Sequence, residues 1–217
     1  MPALLDRKIS WLDALLIEAD HALKTVCKAH EPAVRPSPAN TEAEHELSTS
    51  ERQVSTGCIR VNHTGEICAQ ALYRGQALTA KQPQLRQHLL SAAREENDHL
   101  NWCQQRLDDL QTHTSYLNVF WYGASFKLGV LSGLPGDRWS LGFVIETENQ
   151  VEAHLDHHLA RISERDMKSR AILEQMKIDE AEHAMAAQSS GGQALPKWMR
   201  CLMKCQSKVM TSLAFYI

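Results

Sequence analysis

Two short patterns in the sequence could bind metal ions, and each is a Glu-x-x-His step, at residues 96–99 and 180–183. Residues three apart are neighbours on one face of a helix, so each step would present a carboxylate beside an imidazole. Each step also follows a single glutamate at nearly the same distance along the chain. If each single glutamate comes from a further helix, four carboxylates and two imidazoles would meet inside a four-helix bundle, a set that can hold two iron or two manganese ions. The six candidate metal ligands are Glu66, Glu96, His99, Glu148, Glu180 and His183.

Glu148 lies at the centre of an apolar helical stripe formed by Leu141, Val144, Val151 and Leu155. Both Glu-x-x-His steps lie in similar stripes. A buried carboxylate is costly unless it is paired, so several converging carboxylates call for a compensating cation, and four ionised glutamates would balance two ferrous ions. Hard oxygen donors with imidazole nitrogen suit iron or manganese, and a pattern without thiolate disfavours structural zinc.

A second acid, Glu152, lies one helical turn from Glu148, so the sequence does not decide which of the two is the ligand. It could replace Glu148 as the ligand or hydrogen-bond to the cluster, although Glu148 is better centred in the stripe. Four further acids are rotated from the ligand face by about 100 to 160 degrees. They are expected to face solvent or to hydrogen-bond to the ligands, and they are Glu95, Asp98, Asp179 and Glu182.

The joint pattern, and not any single residue, carries this interpretation. Taken alone, each acid is more often a solvated charge than a ligand. Two Glu-x-x-His steps that each follow a lone glutamate by a similar separation are much less often a product of chance. The similarity also suggests an internal duplication of a two-helix unit.

The elements that would position these residues are helical, and no β alternation is convincing. An amphipathic N-terminal helix is predicted over residues 8–28, with Ser10 near its start, before an extended proline-containing linker over 31–41. The expected fold is all-α, a ferritin-like four-helix bundle with the added N-terminal helix and with peripheral helices that face a membrane. The other helices are predicted from Thr41 or Ser50 to Ala80, from Pro83 to Gln111, from a cap at Asp137 or Ser140 to Ile162, and from Asp166 to Gln188.

The length of 217 residues fits a single domain with a substantial core. We expect an N-terminal helix and linker over residues 1–45, a ligand-bearing bundle over 46–193 and a basic amphipathic tail over 194–217. The six cysteines show no metal-binding spacing and are expected to be reduced residues of the core. No secretory signal and no membrane-spanning stretch is evident, which predicts a cytoplasmic, reducing setting.

The charges are nearly balanced over the whole chain, with 23 Lys and Arg against 26 Asp and Glu, which argues against nucleic acid as a partner. The tail differs, because no acid follows Glu182. An apolar segment over 117–135 fits either an interfacial hairpin or helix at a membrane, or a buried connection between the bundle halves. Four cations alternate with apolar residues in the tail, a composition that favours an anionic membrane surface or an acidic partner, and they are Lys197, Arg200, Lys204 and Lys208.

Five stretches of the chain carry a resemblance to a known family. They are RVNHTGE at residues 60–66, EENDHL at 95–100, GDRWS at 136–140, ENQVEAH at 148–154 and DEAEH at 179–183. In these stretches the chain resembles the bacterial type of the demethoxyubiquinone hydroxylase family of ubiquinone biosynthesis. By similarity the six candidates would be the metal ligands, and His154 would support them from nearby as a further catalytic residue. Thr64 departs mildly from the family pattern, in which a smaller residue is frequent.

The resemblance implies hydroxylation of a ring carbon in a polyprenylated methoxy-methyl-benzoquinol, demethoxyubiquinol, with two iron ions, O₂ and two electrons. No Gly-x-Gly-x-x-Gly dinucleotide fingerprint is present, so the electrons are expected from an external reductant or from the quinone itself. Because a polyprenyl tail resides in the bilayer, we expect a peripheral protein on the cytoplasmic side of the cell membrane. Segment 117–135 and the tail are the expected membrane contacts. Other ubiquinone-biosynthesis proteins or a second copy of the chain are further expected partners.

Three other functions would share some of these features. A di-iron hydroxylase of another substrate, such as a modified tRNA base, would need a basic groove, and none is apparent outside the tail. A ferritin-like iron store would share the ligands but would need a soluble assembled shell. A metal-free membrane scaffold would need no ligands at all.

Overall fold

The computed structural model describes residues 10–29 and 31–217. Over these residues the chain forms seven α-helices and one short 3₁₀ helix, with no strand, and the all-α prediction is confirmed. The first two positions of the predicted N-terminal helix, 8 and 9, lie outside the described residues. The α-helices are α1 (Trp11–Val26), α2 (Thr49–Thr79), α3 (Pro83–Asp109), α4 (Asn118–Gly133), α5 (Asp137–Leu159), α6 (Met167–Ser189) and α7 (Lys197–Tyr216), and the 3₁₀ helix spans Pro38–Thr41.

Helices α2, α3, α5 and α6 form the predicted ferritin-like four-helix bundle. Helix α2 packs along α3, α5 packs along α6, and α3 meets α6 between the two pairs. Two apolar clusters each draw residues from all four helices. One cluster contains Ile59, Leu155 and Leu173, and the other contains Tyr73 and Val144. The six candidate ligands fall between these clusters along every helix, so they form a polar layer inside the bundle.

The start of α5 differs from the sequence-based prediction. Neither Asp137 nor Ser140 caps it, because the cap position is Gly136, which has a φ of 128° that favours glycine. The carboxylate of Asp137 instead accepts hydrogen bonds from the backbone N–H groups of Lys81 and Gln82, at 2.9 and 3.0 Å. Asp137 therefore fastens the connection between α2 and α3 to the start of α5. The helix ends at Leu159, short of the predicted Ile162.

Helix α4 lies along α2 in close backbone contact. A Cβ atom added at Gly75 would meet the carbonyl of Phe126, and one added at Gly129 would meet the carbonyl of Leu72, so glycine is required at both positions. Segment 117–135 is thus a helix with one face buried against α2. Its opposite face leaves large apolar side chains exposed, and they are Val119, Phe120, Leu131 and Leu134.

Residues 31–47, which we call the strap, cross the outside of α3 and α6 and include the 3₁₀ helix. No α-helix begins at Thr41, and α2 starts only after Ser48, whose side chain and that of Glu51 form a reciprocal cap. Arg106 of α3 joins the strap to α6 because it pairs with Glu44 at 2.7 Å and with Asp166 at 2.7 Å. The predicted extended linker is therefore an ordered part of the fold.

Helix α7 contacts the bundle near both of its ends. Leu195, just before the helix, is buried with Leu72 and Phe143 of α2 and α5. Near the other end the ring of Phe215 packs against Gly57, and Arg60 donates a hydrogen bond to the Phe215 carbonyl at 2.9 Å. The basic tail predicted from the sequence is therefore a helix that lies across the bundle.

The cysteines contradict part of the prediction. All six are free thiols, but only Cys58 and Cys103 are buried, whereas Cys27, Cys201 and Cys205 are exposed. The reason is positional, since Cys27 ends α1 and the last two lie on the outer face of α7. Among the described helices none is long and apolar enough to cross a membrane.

Candidate metal centre

Four helices bring the six predicted ligands together in the polar layer. Two groups of four residues each have ligand atoms within 4.8 Å of one another. Glu96 and Glu180 belong to both groups. The first group adds Glu66 and His99, and the second adds Glu148 and His183. Glu148, and not Glu152, is the α5 acid that enters the cluster.

The two shared glutamates each face both histidines. Nδ1 of His99 lies 3.0 Å from Oε2 of Glu96 and 3.3 Å from Oε1 of Glu180. Nδ1 of His183 lies 3.2 Å from Oε1 of Glu96 and 3.4 Å from Oε2 of Glu180. Each shared carboxylate thus offers one oxygen to each half of the centre, which is the arrangement needed to bridge two ions.

Two further acids hold the outer nitrogens of the histidines. Nε2 of His99 lies 2.8 Å from Asp179, and Nε2 of His183 lies 3.0 Å from Glu95. When Nε2–H donates to these carboxylates, Nδ1 is left as a lone-pair donor that points into the centre. Asp179 precedes the shared Glu180 and Glu95 precedes the shared Glu96, so each acid orients the histidine of the opposite helix. Of the two predicted roles for these acids, the hydrogen-bonding role is the one that the contacts fit.

The remaining two off-face acids divide between the same two roles. Glu182 is exposed to solvent. Asp98 is buried and accepts a hydrogen bond from the backbone N–H of Val34 in the strap at 2.7 Å. Sequence reasoning missed this contact because the strap has no periodicity that would place it beside α3.

The histidines of the centre hold protons firmly when no cation is bound. Burial by itself would lower the pKa of His99, but hydrogen bonds to Asp179 and to the carboxylates around Nδ1 raise it well above its usual range. Burial also opposes protonation of His183, yet the neighbouring Glu180 and Glu96 raise its pKa to about 12. Both rings are therefore imidazolium ions at neutral pH in the metal-free protein.

The glutamates of the centre differ from one another. Burial raises the pKa of Glu66 and that of Glu148 well above the usual range, which favours the protonated form of both. Burial acts in the same direction on Glu96, but the facing His183 and His99 lower its pKa well below the usual range. In the metal-free state, protons thus supply the positive charge that a divalent cation would supply.

Several buried polar atoms of the centre have no hydrogen-bond partner among the described residues. Oε1 of Glu148 is one of them. Oε1 of Glu96, Oε2 of Glu180 and Nδ1 of His183 approach one another at ion-pair distance but without hydrogen-bond geometry. Such orphaned atoms are rare in folded proteins, and here they converge on one space. Oxygen and imidazole donors in this arrangement could hold metal ions, and their chemistry suits iron or manganese.

A cavity of about 150 Å³ opens against the centre and is walled mainly by α2, α4, α5 and α7, with Glu180 contributed by α6. Glu66, Glu148 and Glu180 form its inner end. Most of the remaining wall is apolar, which excludes water and suits a hydrophobic ligand. The apolar wall residues include Leu72, Trp121, Leu128, Phe143, Val151, Met203 and Met210.

His154 lies in the wall of this cavity. Within the described part of the chain, no hydrogen bond joins it to a candidate ligand, and its Nε2 is a buried atom without a partner. Its ring packs edge-on against the ring of His158, and the two ring centres are 3.9 Å apart. Burial, and then the charges of His157 and Arg161, lower the pKa of His154 to about 4, so the ring is neutral at pH 7.

Comparison with known proteins gives a consistent result. Residues 53–214 match the family model described as ubiquinone biosynthesis protein COQ7. The 3-demethoxyubiquinol 3-hydroxylase of Nitrosococcus oceani is 54% identical over 211 residues, which cover 97% of this chain and 99% of that protein. Proteins of the same name from Xanthomonas campestris pv. campestris and Ectopseudomonas mendocina are each 51% identical. They cover 94% and 98% of this chain and 94% and 99% of their own lengths.

Proposed function

We propose, from the premise that the chain belongs to the family of ubiquinone biosynthesis protein COQ7, that it is a di-iron monooxygenase that hydroxylates the ring of demethoxyubiquinol. The relatives described above are named for this reaction. The observation that carries the proposal is the double ligand group that shares Glu96 and Glu180 and lies at the inner end of an apolar cavity. The two alternatives, hydroxylation of a tRNA base and storage of iron, are less favoured because none of these relatives is named for either function.

In the proposed reaction one oxygen atom of O₂ is inserted into a ring C–H bond to give a hydroxyl group, and the other leaves as water. A reductant outside the chain supplies two electrons, and solvent supplies two protons. Two bound ferrous ions would supply the chemistry that activates O₂. Glu96 and Glu180 would help to hold both ions, Glu66 and His99 would hold one of them, and Glu148 and His183 would hold the other. The apolar cavity wall would hold the quinol ring against the centre and keep bulk water out.

We further propose that His154 orients the quinol ring. Its unpartnered Nε2 can exchange a hydrogen bond with a ring oxygen, since the neutral imidazole has one donor and one acceptor nitrogen. We expect His154→Phe to raise KM for the quinol while the metal content stays at the wild-type level. An unchanged KM would show that His154 does not contribute to binding of the quinol ring.

The substrate tail also implies contact with a membrane, and we propose that α4 and α7 provide it on the cytoplasmic side of the cell membrane. Both helices border the cavity, and both leave apolar side chains exposed, including Phe120, Leu131, Trp198 and Leu202. The cations of α7 would attract anionic lipid headgroups at about 1 kcal/mol each.

The membrane proposal is tested by vesicle sedimentation with anionic lipids. The double variant Lys204→Glu/Lys208→Glu should bind vesicles at least tenfold more weakly, because it replaces attraction by repulsion. Arg86→Glu makes the same kind of charge change at an exposed site on α3 and should bind like the wild type. Equal binding by all three proteins would exclude α7 as the membrane contact.

The reaction itself is tested by quinone analysis of a strain that lacks this chain. The strain should accumulate demethoxyubiquinone and lose ubiquinone, and the wild-type gene should restore the normal profile. Glu96→Ala should fail to restore it, whereas Glu182→Ala, which changes an exposed acid on α6, should succeed. A normal quinone profile in the deletion strain would refute the proposed function.

A further inference from the structure

One side chain from outside the matched residues 53–214 reaches the metal centre. Arg35 of the strap places its Nη2 atom 2.8 Å from Oδ2 of Asp179 and its Nε atom 3.0 Å from Oδ2 of Asp98. The same Nη2 atom lies 3.4 Å from Nε2 of His99. Arg35 therefore contacts the acid that orients His99 and links it to a second acid on α3.

The backbone and the side chain of Arg35 are both held in place. The indole Nε1 of Trp102 donates a hydrogen bond to the Arg35 carbonyl at 3.2 Å, and the guanidinium lies over the Trp102 ring at 4.9 Å. Asp98 accepts a hydrogen bond from the backbone N–H of Val34. A guanidinium that is fixed at several points loses little further freedom when it pairs with Asp179.

Among the described residues, no cation holds Glu95, the acid that orients His183, in the way that Arg35 holds Asp179. The Asp179 side chain is 11% exposed and also accepts a hydrogen bond from Gln175 at 2.9 Å. The Glu95 side chain, which has the same role for His183, is 55% exposed. Among the described residues its other hydrogen-bond partner is neutral, the hydroxyl of Ser91, which donates at 3.3 Å. The two histidines are therefore oriented by acids that differ greatly in how firmly they are held.

We propose that Arg35 is a positioning residue that fixes Asp179, and through it the His99 ring, so that one of the two metal positions is held more firmly than the other. The inference rests on the proposed metal centre. With Arg35 removed, the Asp179 carboxylate loses a charge-assisted hydrogen bond, and the His99 ring loses the fixed acceptor that aims Nδ1 at the ion. The position shared by His99 and Glu66 should weaken, and the position shared by His183 and Glu148 should not.

The experiment isolates each metal position before it tests Arg35. In Glu148→Ala the His99 position remains, and in Glu66→Ala the His183 position remains. Co(II) is titrated into each metal-free protein, with binding followed by calorimetry and by the visible absorption of the bound ion. Adding Arg35→Met should lower the Co(II) affinity roughly tenfold in the Glu148→Ala protein, as typical for loss of a partner that orients a ligand. It should leave the affinity of the Glu66→Ala protein unchanged.

Two further variants separate positioning from simple attachment of the strap. Asp98→Asn removes a strap contact but keeps the pair of Arg35 with Asp179, so it should lower the Co(II) affinity less than Arg35→Met does. Arg35→Lys keeps a cation near Asp179 and should recover part of the affinity. Equal losses at both positions, or no loss at either, would overturn the inference, while failure of the wild-type chain to bind two ions would overturn the proposed metal centre as well.

Discussion

Glu96 and Glu180 each direct one carboxylate oxygen toward His99 and the other toward His183. This division gives the six residues unequal importance for metal binding. A shared glutamate serves both positions, whereas Glu66 serves only one. The difference cannot be read from the residue types, since all four acids are glutamate.

Metal stoichiometry should therefore depend on which glutamate is removed. Glu96→Ala or Glu180→Ala should abolish binding at both positions, while Glu66→Ala or Glu148→Ala should leave about one of two iron ions per chain. The measurement is iron content after anaerobic loading with Fe(II) and gel filtration. Glu152→Ala is the matched control on α5 and should retain both ions, and a loss of iron in that variant would reassign the α5 ligand.

Metal binding should also release protons. In the metal-free protein the raised pKa values of Glu66, Glu148, His99 and His183 favour the protonated forms of these groups. A cation must displace these protons, so the apparent metal affinity should rise as the pH rises. Proton release on Fe(II) addition can be measured with an indicator in weak buffer. An affinity that is constant from acid to alkaline pH would contradict this charge arrangement.

At the scale of elements, α7 forms part of the cavity wall while it is secured mainly near its two ends. The ring of Phe215 lies between Gly57 and the guanidinium of Arg161, which is 4.8 Å from the ring centre. Glycine at position 57 makes this contact possible, because a Cβ there would occupy the space of the ring. The wall of the cavity thus depends on a residue that lies outside the cavity.

Gly57→Ala tests this dependence. Overpacking costs about 1–3 kcal/mol and should outweigh the helix propensity gain of about 0.5–1 kcal/mol, so the free energy of unfolding should fall. Amide hydrogen exchange should become faster in the last turns of α7. Gly123→Ala, at a helical glycine with open space around an added Cβ, should slightly raise stability and leave exchange unchanged. Identical behaviour of the two variants would show that Phe215 does not secure α7.

At the scale of the whole molecule, the sequence predicts the bundle and the convergence of six residues. Helical periodicity predicts the bundle and places Glu96, Glu148 and Glu180 in apolar stripes, whereas Glu66 is predicted mainly by the motif match. Contacts between elements were harder to predict. Asp179 and Glu95 point away from the ligand face of their own helices, yet each reaches the histidine of the facing helix. Arg35 lies in a proline-containing segment without periodicity, and Asp137 resembles a helix cap but binds another connection. Such roles depend on how helices face each other, which local patterns do not specify.

The polar layer between the two apolar clusters lowers the stability of the fold, but the proposed metal binding requires it. In Glu148→Leu an apolar side chain would join the two clusters along α5. The change would also remove a buried carboxyl group whose Oε1 has no hydrogen-bond partner among the described residues, and leaving a buried polar group unsatisfied costs about 1–3 kcal/mol. We expect metal-free Glu148→Leu to melt several degrees above the metal-free wild type, roughly 2–4 °C per kcal/mol for a chain of this size. A lower melting temperature would show that the layer is already compensated. Selection for a durable fold alone would therefore erase this layer, and only selection for its chemistry retains it.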